Sequence, residues 1–440
     1  MFRSSKPSSA RFADRPEDFA KLGIQPGRIE AFEDGMRTQG GPGGYEWWYF
    51  DSHLSDGSSL VIVFFTKEMM NPGGKLAPLV TLSLDRPGQP TLFLETRVSP
   101  DAFSASRDRC DVRIGENTFC GDLHEYDIHF AHGEVSVDIK LTGQVPAWRP
   151  TSGHMFFGDH DEHVFAWLPS VPQGKVSLDL NIGGKKEHLE GVGYHDHNWG
   201  DVPMPKLINH WYWGRAQAGA YSIVASYIFA EKAYGGTGLP IFMLAKDGKV
   251  IADDHHKVRF HLEDEHMDEK SGKPVANVVV YEYEDGPERY RVSYRRSETI
   301  VNSQLIDRVS GFKRLLARPV GFNGSYLRFT GKVQLERFVN GELVEDVSDP
   351  GIWEMMYFGP VDPELASPGR TPVWGWRMPL CDRANLHGGK LGVTQFKDFA
   401  ESSRRRIARD CCRGREDQFP ACVRADQPVG TQDHAAACHN

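Results

Sequence analysis

Glu46-Trp47-Trp48-Tyr49-Phe50, followed across Asp56-Gly57 by Leu60-Val61-Ile62-Val63-Phe64, reads as an aromatic strand, a tight turn and an apolar strand. A later stretch has the same build: His210-Trp211-Tyr212-Trp213-Gly214 leads through Ala218-Gly219 into Tyr221-Ser222-Ile223-Val224-Ala225. A second echo joins Gly193-Tyr194-His195-Asp196 to Gly351-Ile352-Trp353-Glu354, at nearly the same separation. One duplicated β unit explains both. The boundary falls near residues 200 to 208, where Asp201 to Pro205 suits a linker.

Outward from these hairpins, period-two alternation recurs at Val135, Val137, Ile139 and Leu141 and at Val176, Leu178, Leu180 and Ile182, the mark of half-buried antiparallel strands. Turn dipeptides of hairpin chemistry separate the strands: Gly183-Gly184, Asp247-Gly248, Asp285-Gly286 and Asn340-Gly341. No long amphipathic helix and no Gly-rich phosphate loop interrupts them, so a βαβ dinucleotide fold is disfavoured. The fold class is all-β, with two antiparallel β-barrel or β-sandwich domains packed together. Residues 1–40 read as an N-terminal extension with a short helix near Arg28 to Met36, 41–205 as the first β domain, 206–395 as the second, and 396–440 as a disordered tail. Phe399 to Arg409 could form a basic helical turn or two. The tail cysteines Cys411, Cys412, Cys422 and Cys438 match no zinc spacing.

The chain has 440 residues, with 51 Lys+Arg against 60 Asp+Glu and a net charge of -9, so it holds no basic excess for phosphates or anionic lipid. Nucleic acid is excluded as the expected partner. No apolar run reaches the roughly 18 to 20 residues of a membrane span, and no apolar h-region follows Arg3 and Lys6. A cytoplasmic location is the expectation. Seven unevenly placed cysteines are no disulfide framework. The oligomeric state is not readable.

The stretch Gly191 to Gly200 concentrates the polar chemistry. In an extended chain Tyr194, Asp196 and Asn198 project to one face and His195, His197 and Trp199 to the other. On a dry face, desolvation raises the Asp196 carboxyl into the range of a proton donor, and Tyr194 orients it or donates a second hydrogen bond. The alternative reading is a hydrogen-bonded corner that serves structure alone. His195 and His197, and the cluster Asp159, His160, Asp161 and His163, reproduce no metal pattern, so no metal and no cofactor is expected. A serine or cysteine nucleophile lacks its usual context. Trp47, Tyr49, Trp167, Trp211, Trp213 and Trp353, with Glu354, are candidates to line a site for a hydrophobic small molecule between the two modules, although alternation lets at most half of such aromatics face it.

Glu46-Trp47-Trp48-Tyr49-Phe50-Asp51, Gly193-Tyr194-His195-Asp196-His197-Asn198-Trp199-Gly200 and Trp211-Tyr212-Trp213-Gly214-Arg215-Ala216 together resemble the lipocalin-like family of carotenoid 1,2-hydratases (hydroxyneurosporene synthases) and AttH-like proteins, with fungal Diels-Alderases and kievitone hydratase as relatives. The resemblance spans about residues 41 to 395. It implies two lipocalin-like β domains around an apolar pocket and chemistry without a redox cofactor. Hydratases of this family carry a Tyr-x-Asp-His-Asn-Trp-Gly stretch whose Asp protonates an alkene, assisted by a Tyr and an upstream Trp. By resemblance those roles fall on Asp196, Tyr194 and Trp167. His195 stands where those hydratases have Trp, which sets this chain apart from carotenoid substrates.

The leading expectation is a cofactor-independent cyclase or isomerase of the Diels-Alderase type, acting on a terpenoid or polyketide intermediate. Its catalytic candidates are Asp196, Tyr194, His195 and His197. The alternatives are an alkene hydratase and a non-catalytic lipocalin-like carrier.

Overall fold

The computed structural model describes residues 8–69, 72–304, 324–359 and 361. The expected tail with its four cysteines lies outside the described residues. The described residues all fall within one compact unit, Met1–Val373.

Two antiparallel sheets carry the chain. The first runs in space from Leu92–Arg97 through Leu79–Asp85, Ser59–Phe65, Tyr45–Leu54, Lys185–Gly200, His163–Ile182, Val135–Gly143 and Glu125–His132 to Asn117–Gly121 and the strands beyond it. The second runs from Lys249–Ala252 through Gly238–Lys246, Tyr221–Ala230, Ile208–Ala218, Glu342–Tyr357, Ser325–Val339, Glu288–Gln304 and Pro274–Asp285 to Val258–Met267. The nine strands of the second sheet correspond in order to the nine from Leu92–Arg97 to Asn117–Gly121 of the first. In each, the aromatic strand lies between its own hairpin partner and a strand from the far end of the module, as the internal echo requires.

Both sheets curl closed around their own apolar interiors. Phe64 and Phe119 lie on strands six positions apart in the first sheet, which a flat sheet would separate by roughly 29 Å at about 4.8 Å per strand. Their rings meet edge to face at 5.5 Å. Phe242 and Tyr283, also six positions apart, meet at 5.8 Å in the second sheet. The architecture is thus two barrel-like modules, each with a dry core: Phe50, Ile62, Phe130 and Leu178 in one, Tyr281, Val292, Phe329 and Trp353 in the other. A third apolar cluster, including Tyr45, Trp47, Trp167 and Tyr194 of the first sheet and Val224, Ile228, Ile241 and Met243 of the second, forms the layer between them. The hairpins turn where their dipeptides demand it: Asn340 and Gly341 take φ of 52° and 85°, Asp247 and Gly248 50° and 77°.

The Asp201 to Pro205 link is packed rather than free, because Met204 and Leu207 are buried in the layer between the modules. The long strand His163–Ile182 changes register between Leu168 and Gly174, where Pro169 and Pro172 cannot donate to a ladder. That bulge lets Trp167 face the intermodule layer while Val176 and Leu178 line the first core.

Within the N-terminal extension, residues 8–40 pack against the first module. Ala10–Phe12 pairs with His154–Phe157 of the first sheet, Pro16–Leu22 is helical, and the expected helix near Arg28 to Met36 is only the 3-10 turn Ala31–Asp34. That turn lies inside with its charges compensated. Glu33 forms a buried ion pair with Arg149 at 2.7 Å, and Asp34 enters the first core. Pro, Gly and charge read as a loop in the sequence, whereas here the charges are paired in the interior.

Candidate active site between the two modules

Alternation decides which side chains meet. In Tyr45–Leu54 the odd positions Tyr45, Trp47, Tyr49 and Asp51 face the intermodule layer, and Trp48 and Phe50 face the first core. Lys185–Gly200 pairs with that strand so that Asp196 lies opposite Tyr49 and Tyr194 opposite Asp51. Gly193 permits this close pairing, since a Cβ there would stand 2.5 Å from Val176 and 2.9 Å from the Asp51 carbonyl.

Asp196 is 7% exposed and accepts three hydrogen bonds. Trp167 Nε1 donates to Oδ2 at 2.8 Å, the Tyr194 hydroxyl to the same oxygen at 2.7 Å, and Asn198 Nδ2 to Oδ1 at 2.6 Å. Burial pushes the carboxyl up to about 6, against the pull of these donors toward the anion. The group therefore exchanges its proton near pH 6, well above an ordinary aspartate, with three donors in place to hold the anion.

Around it stand rings from both modules. Tyr194 meets Tyr49 at 6.2 Å and Trp213 at 5.6 Å, both edge-on. Trp47 lies against Phe165 at 6.2 Å. Next to them is a charged group that the sequence reading missed. Arg215 is bonded to Asp51, which the Tyr49 hydroxyl also contacts at 3.2 Å, and the Arg215 guanidinium sits 5.8 Å from the centre of the Tyr194 ring. Burial alone would raise Asp51, but the Arg215 charge outweighs it and holds the carboxylate below its usual range. Both residues stand within the quoted motifs. A buried-facing charge of each sign at alternating positions was the available signal.

Glu354 faces the same layer from the second module. It accepts from the Tyr326 hydroxyl at 2.7 Å and from Trp211 Nε1 at 3.4 Å, and burial raises it while the charge of Arg328 opposes the rise. Trp213 lies opposite Glu354 in register. Tyr49, Trp211, Trp213, Tyr326, Arg328 and Glu354 keep partial exposure, so the open side of the site lies here. Where the sequence reading expects a chamber, the described residues around Asp196 form a packed layer. Two clefts on the described surface lie elsewhere, one beside Leu84 and Glu187 and the other beside Asp14 and His255.

Three candidates do not join the site. His195 and His197 point through the sheet into the first core, as alternation requires. There His195 Nδ1 donates to the Tyr49 carbonyl at 2.8 Å and Nε2 lies 3.2 Å from Asp34 Oδ2, to which the Tyr126 hydroxyl donates at 2.5 Å. His197 meets Glu46 at 2.8 Å and stacks on Trp48 at 4.6 Å. They back the strand Lys185–Gly200 on the face opposite Asp196. Trp353 packs inside the second core against Tyr294 and Phe329, one residue out of phase with Glu354.

The comparisons agree with this architecture. The Diels-Alderase-like family model matches residues 121–302, a stretch that contains the Gly193–Gly200 and Trp211–Ala216 motifs. The chain is 29% identical over 224 residues to a hydroxyneurosporene dehydrogenase of Chlorobaculum tepidum, covering 43% of this chain and 57% of that protein. It is 29% identical over 195 residues to the quinolone epoxide rearrangement protein asqO of Emericella nidulans, covering 41% and 53%. The chain thus spans about half the length of the curated relatives it matches. An AttH-type protein of Nitrosomonas europaea shares the fold, with a TM-score of 0.50 at 14% identity over 76% of this chain and 98% of that one. No helix among the described residues is long and apolar enough to cross a membrane.

Proposed function

We propose that this chain is a cytoplasmic, non-redox cyclase or isomerase of the Diels-Alderase type that acts on a hydrophobic terpenoid or polyketide intermediate of specialised metabolism. One observation carries the reading: a buried carboxyl, raised to about 6 by desolvation, is held by three donors in an aromatic layer between two barrels. Asp196 donates a hydrogen bond or its proton to an oxygen on which negative charge develops, a carbonyl in a cyclisation or an epoxide in a rearrangement. Trp167, Tyr194 and Asn198 then stabilise the carboxylate left behind. The rings of Tyr49, Trp47, Trp211 and Trp213 hold the folded conformer, and Glu354 positions its polar end. The reading draws on no cofactor. The similarity to a quinolone epoxide rearrangement protein supports isomerisation, since an epoxide that rearranges keeps all its atoms.

A hydratase is the second reading, favoured by the match of Tyr194, Asp196, His197, Asn198, Trp199 and Gly200 to the hydratase motif. In that case Asp196 delivers a full proton to carbon and water adds to the cation. Mass spectrometry of incubations with polyene and epoxide polyketides or terpenoids separates the readings. The proposal predicts a product isobaric with its substrate; a product heavier by one water supports the hydratase, and a ligand recovered unchanged across the panel contradicts both in favour of a carrier.

A further inference from the structure

We propose that Asp14, His255 and His256 form a binding site for a divalent transition-metal ion of the zinc class, which clamps the N-terminal segment onto the second barrel. Asp14 follows the Ala10–Phe12 strand of the first sheet, whereas the two histidines stand on the 3-10 turn His255–Lys257 of the second. The Nε2 atoms of His255 and His256 approach the same carboxylate oxygen of Asp14 at 3.5 and 3.3 Å, and the three ligand atoms all lie within 4.8 Å of one another. Those separations exceed the mode of about 2.9 Å for an N–H···O bond. They match the edge of roughly 3.4 Å in a tetrahedron whose corners stand about 2.1 Å from a zinc ion.

The rings are fixed in this attitude. His255 packs on Phe12 at 4.5 Å and on His256 at 3.9 Å, and the Asp254 side chain accepts from the His256 backbone N–H at 3.0 Å, which sets how the turn presents both imidazoles. Arg11 lines the same cleft, but its guanidinium is engaged by Asp18 and Asp161 at 2.6 Å each. Two imidazoles and one carboxylate favour Zn2+, Co2+ or Ni2+ over Mg2+ or Ca2+, and three protein ligands in an open cleft leave a fourth position for water. The buried group of Asp34, Cys110 and His195 is a weaker candidate, because Asp34 and His195 already bond to each other and to Tyr126 and the Tyr49 carbonyl.

The test uses the untagged full chain with its cysteines alkylated, so that the cysteine-bearing C-terminal residues cannot bind. Co2+ is titrated while visible absorption is followed, and Zn2+ is used to displace it. The expected result is one Co2+ per chain with a tetrahedral spectrum, and binding weakened at least about tenfold in both Asp14→Asn and His256→Ala. His256 has 64% of its side chain exposed, so its variant keeps the metal-free melting temperature of the parent. Zn2+ is also expected to slow proteolysis of the N-terminal segment in the parent and not in the variants. Absence of Co2+ binding to the alkylated parent, or equal binding by the variants, overturns the proposal.

Discussion

Asp196 and Glu354 occupy equivalent places in the two barrels. Each faces the intermodule layer from the strand that pairs with the aromatic strand of its module, opposite Tyr49 in one case and Trp213 in the other. Each accepts from a tryptophan N–H and a tyrosine hydroxyl. The difference lies in what else surrounds them. Asp196 has a third donor in Asn198, a tryptophan bond of 2.8 Å and almost no exposure, whereas Glu354 has a longer tryptophan bond of 3.4 Å, partial exposure and the positive charge of Arg328. The two modules present the same cradle, and burial raises both carboxyls: Asp196 to about 6, and Glu354 against the Tyr326 hydrogen bond and the charge of Arg328. The proposed function therefore places proton donation on Asp196 and polar positioning on Glu354.

The comparison breaks most directly at Asp196. Asp196→Asn is expected to lower turnover about 100- to 10,000-fold, the range of a lost general acid, while the protein stays folded because the Asn198 amide can reverse to meet the new one. Turnover at the parental rate would remove Asp196 from the mechanism. Arg215→Met leaves Asp51 buried without its charge partner and is expected to destabilise the fold by about 3–5 kcal/mol. The double variant Arg215→Met with Asp51→Leu should recover much of that loss in denaturant titrations, and failure to recover would show that the pair is not the unit of stability.

A third expectation concerns pH. The folded-state value of Asp196, about 6, lies above its ordinary 3.8, so the folded chain binds this proton more tightly than the unfolded chain. The contribution is fully present below pH 3.8 and is lost as pH rises through 6, a change of about 3 kcal/mol at about 1.36 kcal/mol per unit. Paired carboxylates such as Asp18 and Asp51 are held low and slope the other way. The check is accordingly the difference between parent and Asp196→Asn melting curves from pH 4 to 7, and parallel curves would contradict it. The smallest effect is expected at Glu354→Gln, which should raise KM by up to about tenfold and leave kcat within about twofold, the signature of lost positioning. A collapse of kcat instead would make the two carboxyls functional equals.

Much of this was legible in the sequence because it follows from local rules. The paired dipeptides Asn340-Gly341 and Asp247-Gly248 fix hairpins, the echo of Trp47-Trp48-Tyr49 in Trp211-Tyr212-Trp213 fixes the duplication, and period-two alternation places Tyr194, Asp196 and Asn198 on one face. The rest depends on contacts between distant residues. Alternation says that His195 and His197 face away from Asp196, but not that Asp34 and Glu46 wait on that side, since Asp34 arrives from a segment whose composition reads as a loop. Trp353 shows the same rule neglected, as its phase against Glu354 already sends it to the core. Arg328 lies outside every quoted motif, and it comes beside Glu354 through the register of the strands Ser325–Val339 and Glu342–Tyr357, which the bulge between Arg337 and Phe338 shifts and the turn dipeptide alone does not specify.

The central claim is that desolvation in the intermodule layer turns Asp196 into an acid for the physiological range. A carbon-13 NMR titration of the aspartate carboxyls, with Asp196→Asn used to assign the resonance, measures it directly. The account predicts a midpoint near 6; a midpoint near the ordinary value of 3.8 would contradict it.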